Sequence, residues 1–365
     1  MEDIIVRAGP AEYVCTSGVL NLLELKLTAR GIKRVLLLTG EQSWQAATNY
    51  FPNLNEVILI HVFYNGECSL SEIRRVTNLA RTHEVDAIIG VGGGKVLDVV
   101  KASAYQSQTK SVLIPTIAAN CASWTPLSVI YTDEGVMTHY EVYPKSVDLL
   151  LIEPHILLKA PIAYLIAGIG DTLAKWYEAD VQIGKLNELP VALKIAHYSA
   201  RLCADEMFEY AEQAVSDTQE ERISNAFIKV VESIMMLGGM VGGYGDKFGR
   251  IAGAHSIHNG ITVAPESHEA LHGNKVAYGI LVQLLLENKQ VELEQLIPFY
   301  QALGLPISLQ DLNISIKWID EIAQLATRDE ESIHFMRDEK VTPTEVAAVM
   351  RNWEAQWVLD SSLIE

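Results

Sequence analysis

The hydrophobic period of this chain changes once, near Pro161, and that change constrains the fold more than any other feature. Before it, short apolar runs alternate with helical patterns: RVLLLT (34–39), EVILIHV (56–62), SEIRRVTNLARTH (71–83), DAIIGVGGG (86–94), VLDVVKASA (96–104) and SVLIPT (111–116). That alternation predicts a parallel sheet with crossover helices. LSVIYTDEGVMTHYEVY (127–143) reads as a hairpin turning at Asp133, Glu134 and Gly135, and VDLLLIEP (147–154) as a last strand. Beyond it, apolar residues recur three and four apart, as in IAYLIAGIGDTLAKWYEADVQI (162–183) and RISNAFIKVVESIMMLGGMVGG (222–243), which predicts helices. The expected organisation is an α/β domain over 1–160 and an all-α domain over 161–365, with Pro154 and Pro161 bracketing the boundary.

A chain of 365 residues exceeds what one hydrophobic core usually supports, in keeping with two domains. Its formal net charge of -18 opposes attraction to nucleic acid or to an anionic membrane, so neither partner is expected and any anionic ligand must be held by local groups. Cys15, Cys68, Cys121 and Cys203 lie far apart and form no CxxC pair, which indicates reduced thiols. The N-terminus lacks the pattern of a signal peptide, and no apolar run is expected to reach the roughly 18 residues that cross a bilayer. A cytoplasmic enzyme is expected.

GVGGGKVLD follows an apolar strand and opens a helix. Gly92, Gly93 and Gly94 can bring bare backbone against a pyrophosphate, the helix N-terminus points N–H groups at it, and Lys95 adds positive charge. The same glycines could serve close strand–helix packing alone. Where such a fold binds a ribose, an acidic side chain usually stands at a strand end. Here RVLLLT ends in Thr39-Gly40, followed by Glu41, Gln42 and Ser43. Gly40 would not repel a 2′-phosphate, and Ser43 is placed to reach it, so NADP(H) is accommodated as well as NAD(H); Glu41 could equally be a solvated turn residue.

Asp171, His255 and His272 offer one carboxylate and two imidazoles to a single divalent cation, a set that leaves open positions on zinc or ferrous iron. His255 and His258 are three apart and share one face of a helix. Asp171 follows Gly170, where it could also serve as a helix N-cap. Lys175 is one turn further on and projects to the same side as Asp171. It can hold an anionic substrate group or give a proton to a developing alkoxide, unless it extends to solvent.

Together GVGGGKVLD, PTIAANCASWTPLSVIYTDEG, GIGDTLAKWYEA and AHSIHNGIT…LHGNKVAYGILVQ resemble the iron-containing alcohol dehydrogenase family, in its glycerol dehydrogenase-like branch and near the bacterial hydroxycarboxylate dehydrogenases. The resemblance covers most of the chain. It implies an N-terminal dinucleotide-binding α/β domain, a helical C-terminal domain, a site in the cleft between them and a homo-oligomer. It implies that the GGGK turn with Thr116, Thr125, Leu127 and Tyr131 contacts the dinucleotide. His255 and His272 would ligate zinc or iron with Asp171, and His258 would line the cleft as a proton relay.

The chain departs from the family pattern at three places. Glycerol dehydrogenases carry an aspartate for polyol hydroxyls where this chain has Cys121. Other members carry a histidine where it has Lys175, and many NAD-using relatives carry an aspartate where it has Gly40. A carboxylate at 121 would repel the carboxylate of a 2-oxo acid by about 4 kcal/mol at ~4 Å and an effective dielectric of about 20. The expected activity is therefore hydride transfer between a nicotinamide cofactor and a small 2-oxo acid or 2-hydroxy acid. Lys175 would anchor the carboxylate, with Lys247 and Arg250 as weaker candidates. Alternatives are a polyol dehydrogenase, a dehydroquinate synthase-type lyase and an inactive binding homologue.

Overall fold

Six parallel strands, the four central ones buried on both faces, build the sheet of the computed structural model, which describes residues 4–249 and 251–361. The first part of the chain runs β1 (Tyr13–Cys15), α1 (Leu23–Thr28), β2 (Arg34–Thr39), α2 (Glu41–Ala47), β3 (Ile58–Phe63), α3 (Leu70–Thr82), β4 (Ala87–Gly92), α4 (Gly94–Ser107) and β5 (Lys110–Pro115). A hairpin of β6 (Leu127–Tyr131) and β7 (Met137–Val142), then β8 (Leu149–Ile152) and α5 (Pro154–Leu158), complete it. The sheet order is β1-β8-β5-β4-β2-β3. Val91 pairs with Thr39 on one side and Ile114 on the other, so the C-terminal ends of β2, β4 and β5 align where the glycine turn begins.

The strands and helices predicted from the sequence are all present, with ends shifted by up to three residues. One strand goes beyond them. β1 is three residues long, too short to show a period, and it exists because Tyr13 and Cys15 pair with Leu150 and Ile152 at the sheet edge.

The remainder is helical: α6 (Ile162–Ile183), α7 (Val191–Gln219), α8 (Asn225–Glu232), α9 (Gly238–Gly245), α10 (Gly253–Ile261), α11 (His272–Leu286), α12 (Gln290–Leu303), α13 (Ile319–Ala326) and α14 (Pro343–Ser361). α6 is central, packed on α7 and α11, while α10 packs on α11 and α13. Helices α10 and α11 approach so closely that a Cβ on Gly279 would lie 2.3 Å from the Ala254 carbonyl oxygen.

A wide π turn, Ser233–Leu237, joins α8 to α9. The continuous run Asn225–Gly249 does reach membrane-spanning length, with a mean hydropathy of 1.4, contrary to the sequence expectation. More than half of it is buried, against α7 and its neighbours, so its apolar character serves the helical core.

One apolar core joins the two halves. It covers the sheet face made by Leu36, Leu38, Ile88 and Leu113 and continues through Ile169, Leu173, Tyr278 and Trp353 among the helices. Val35, Leu37, Ile89 and Val112 on the opposite sheet face pack separately against α1 and α2. The change of period near Pro161 therefore marks a change of architecture across a shared core.

Candidate functional site

At the C-terminal edge of the sheet, β4 passes through the glycine turn straight into α4, whose N-terminal N–H groups face outward from the turn. Gly92 also serves packing, since a Cβ there would come within 2.7 Å of Val96. Lys95 forms an ion pair with Glu67 at 2.7 Å, and its ammonium lies 4.8 Å from the centre of the Tyr131 ring. The charge expected beside the phosphates thus has a carboxylate partner already, one that the sequence does not single out. Thr116 continues β5 and donates its backbone N–H to the Gly92 carbonyl at 3.0 Å, beside the turn.

Thr125 and Leu127 are held in place by a buried lysine that sequence inspection misses. Lys101, in α4, pairs with buried Asp98 at 2.8 Å and donates to the carbonyls of Ala122 at 2.6 Å, Thr125 at 3.1 Å and Leu127. Asp98 in turn accepts from the Val129 N–H at 3.0 Å. Burial raises the Asp98 pKa, with Lys101 opposing it.

Gly40 is the N-cap of α2 with extended backbone, φ −78, so it is not confined to glycine by conformation. The Ser43 hydroxyl accepts from the Gly40 N–H at 2.9 Å and lies 2.9 Å from the Val91 carbonyl oxygen. Ser43 is therefore occupied in capping the helix and is not free to reach a phosphate. Glu41 is exposed at the start of α2, as a solvated residue would be.

Asp171, His255 and His272 converge on one point, with their ligand-capable atoms within 4.8 Å of one another. Asp171 lies in the middle of α6, so the N-cap suggested by Gly170 is not formed. His255 comes from α10, and His272 is the first residue of α11. The Nε2 atoms of His255 and His272 stand 3.4 and 3.5 Å from Asp171 Oδ1. Lys175 is 8% exposed, and its Nζ lies 3.3 Å from the same oxygen. It is buried rather than extended to solvent. Lys247 stands over Phe248, and Arg250 falls outside the described residues.

Burial would raise the Asp171 pKa, but Lys175, His255 and His272 hold it well below the usual carboxylate range. Burial would lower that of Lys175, but Asp171, helped by Cys121 and Glu178, keeps the ammonium charged. For His255 the loss of hydration is outweighed by Glu178, which brings it up to about 9. Burial, then the neighbouring His272 and Lys275, hold His258 well below its ordinary value, and burial likewise lowers His272 despite Asp171.

Glu178 organises His255 and was not apparent as a site residue, although it lies on α6 two turns beyond Asp171. Its Oε1 accepts from the N–H groups of Ala252 at 2.7 Å and His255 at 2.9 Å, and its Oε2 meets His255 Nδ1 at 2.6 Å. With Nδ1–H bound there, the neutral form of His255 that a metal ion selects would present Nε2 inward as a lone pair. His272 Nδ1 lies 2.9 Å from His258 Nε2, and His258 Nδ1 lies 3.1 Å from Asn259 Oδ1. Asn259 Nδ2 is 3.1 Å from both oxygens of Glu331. Two imidazole nitrogens and a carboxylate oxygen, one imidazole anchored from behind by a carboxylate, form a donor set that fits a divalent ion.

Lys101→Met should lower the stability of the protein by about 3 kcal/mol or more, because it leaves Asp98 buried and unpaired. Adding Asp98→Asn should recover part of the loss, measured as a double-mutant cycle in denaturant unfolding. Additive effects of the two changes would show that the pair does not support the 122–127 segment.

Comparison with known proteins agrees with the geometry. Residues 10–154 match the family model for iron-containing alcohol dehydrogenase. The chain is 40% identical to hydroxycarboxylate dehydrogenase A of Escherichia coli (strain K12), over 96% of this chain and 98% of that one. It is 34% identical to a glycerol dehydrogenase of Thermotoga maritima, over 89% of this chain and 90% of that one. Among solved structures, glycerol dehydrogenase from Schizosaccharomyces pombe superimposes with a TM-score of 0.87 at 29% identity, covering 99% of this chain and 94% of that one. With full-length relatives at this level of identity, the chain belongs to the iron-containing alcohol dehydrogenase family and is an NAD(P)-dependent, metal-dependent dehydrogenase.

Proposed function

We propose that this dehydrogenase interconverts a small 2-oxo acid and its 2-hydroxy acid, with Asp171, His255 and His272 holding one divalent ion, zinc or iron. The observation that carries the substrate class is the buried, charged Lys175 beside Asp171, with Cys121, in place of a carboxylate, close by. A carboxylate brought to this ammonium gains a charge-assisted hydrogen bond in addition to the one from Asp171, whereas a polyol offers it only neutral hydroxyl acceptors. The name of the Escherichia coli relative, a hydroxycarboxylate dehydrogenase, supports the same class. The glycine turn with Lys95, Thr116, Thr125, Leu127 and Tyr131 would hold the dinucleotide, on a nucleotide-binding half of about 1–160 that faces a metal-binding half of 161–365.

When bound there, the ion supplies Lewis acidity toward a carbonyl oxygen while the nicotinamide supplies hydride. The chain's own part is to turn both imidazole Nε2 atoms inward and to fix the substrate carboxylate on Lys175. His258 has both ring nitrogens engaged, so we assign it the orienting of His272. The proton is returned from solvent reaching the site past the half-exposed His272 ring. A homo-oligomer fits the exposed apolar side chains Val136, Met137 and Tyr140 on the hairpin and Val191 and Tyr198 on α7. A reducing cytoplasmic setting fits the free, buried thiols of Cys68 and Cys203.

Native protein should bind one zinc ion per chain, and His255→Ala should abolish both that binding and turnover while the circular dichroism spectrum is retained. Full turnover by the variant, or by chelator-treated protein, would contradict the assignment. Lys175→Met should raise KM for a 2-oxo acid at least tenfold while changing KM for a neutral aldehyde little. Equal effects on both substrates, or glycerol outperforming every hydroxy acid with native enzyme, would show that Lys175 does not select a carboxylate. A Cβ at residue 40 meets only the Ser43 hydroxyl, at 3.3 Å, so Gly40→Asp requires that hydroxyl to give by a few tenths of an ångström. It should reduce kcat/KM with NADPH about tenfold relative to NADH, a change of about 1.4 kcal/mol. An unchanged ratio would mean that residue 40 does not face the ribose.

A further inference from the structure

We propose that Glu331 is a positioning residue for the metal site, fixing through Asn259 and His258 which nitrogen of His272 presents its lone pair inward. The proposal rests on Asp171, His255 and His272 being the ligands. Glu331 itself lies in the segment leading into Ser332–Met336, packed against α10 and tied to it by the Ile333 N–H, which donates to Ser256 Oγ at 3.0 Å.

The direction of each hydrogen bond follows from the one before it. An ionised carboxylate only accepts. Both Glu331 oxygens lie 3.1 Å from Asn259 Nδ2, so the amide nitrogen faces Glu331 and the amide oxygen faces His258. That oxygen also only accepts, so His258 carries its proton on Nδ1, at 3.1 Å. A neutral imidazole has one N–H, which leaves His258 Nε2 bare. The 2.9 Å contact to it can then be made only by His272 Nδ1–H. His272 Nε2 is left bare in turn, and this is the atom 3.5 Å from Asp171 Oδ1.

Were the amide of Asn259 reversed, every step would invert. Its NH2 would face His258 Nδ1, His258 would donate from Nε2, and His272 would carry its proton on Nε2, in the space the ion requires. His255 receives the equivalent instruction directly from Glu178. The two ligand imidazoles are thus set by two carboxylates, one in contact and one three hydrogen bonds away.

The test compares zinc dissociation constants of native protein, Glu331→Gln and Glu331→Asp, by competition with a chromophoric chelator, alongside the visible spectrum of the cobalt-substituted proteins. Glutamine has the same shape but can offer oxygen or NH2 to Asn259, so it no longer dictates the chain. Zinc binding in Glu331→Gln should weaken by about 10- to 100-fold, the range for outer-shell partners of metal ligands. Its cobalt spectrum should change, and the thermal midpoint of the metal-free protein should not. Glu331→Asp, still an acceptor only, should retain most of the affinity. Native affinity in Glu331→Gln, or equal losses in both variants, would overturn the proposal. Absence of zinc binding by native protein, or unaltered binding by His255→Ala, would overturn the ligand assignment on which it rests.

Discussion

A carboxylate enclosed by protein needs positive charge within reach, and the helical half of this molecule is arranged around that requirement at Asp171. An uncompensated ion in such a place costs several kcal/mol. Here Lys175 supplies an ammonium from the next turn of α6, and α10 and α11 each deliver an imidazole to the same oxygen. Because Lys175 meets the oxygen that both imidazoles face, an ammonium and a divalent ion would share one negative charge. With Lys175 as the proposed carboxylate anchor, metal affinity and substrate charge selection would be linked through that single atom, and a change at residue 175 would be felt by both.

The nucleotide end follows a different logic. Its backbone is fixed by the sheet register, which aligns the ends of β2, β4 and β5, and by Lys101, which gathers three carbonyls of the 122–127 segment from below. Lys95, the visible cation of the glycine turn, is neutralised by Glu67. An incoming pyrophosphate would meet N–H dipoles first and would have to compete with Glu67 for the lysine.

Much of this is legible in the sequence. The period change near Pro161 separates the two architectures, and the apolar spacing over 162–183 predicts α6 to the residue. Asp171, His255 and His272 stand out through the motifs that carry the family resemblance, and the fold brings the three together. What is not legible depends on packing between distant segments. β1 exists only through its partner strand. Asp171 looks like a cap beside Gly170 because local sequence does not show that the helix has already begun. Ser43 looks available for a phosphate until its hydroxyl is seen capping α2. Glu178 and Glu331 are ordinary helix and loop acids in sequence, and acquire meaning only where the chain folds back on the histidines.

The wide turn at Ser233–Leu237 acts as a phase shifter in the helix that contains it. One extra residue in a turn rotates everything after it by roughly 100°, the angle between successive helical residues. α8 and α9 both pack on α7, and the glycine edge of α9 also comes up against the 121–124 segment. A Cβ on Gly238 would lie 3.6 Å from Cys121 and one on Gly239 would lie 2.4 Å from Trp124. The wall behind Cys121 is consequently timed by the helix as well as by its own loop. Loss of a single residue anywhere in that turn would swing side chains in place of glycine toward Trp124, and would reshape the surroundings of Cys121 without changing Cys121 itself.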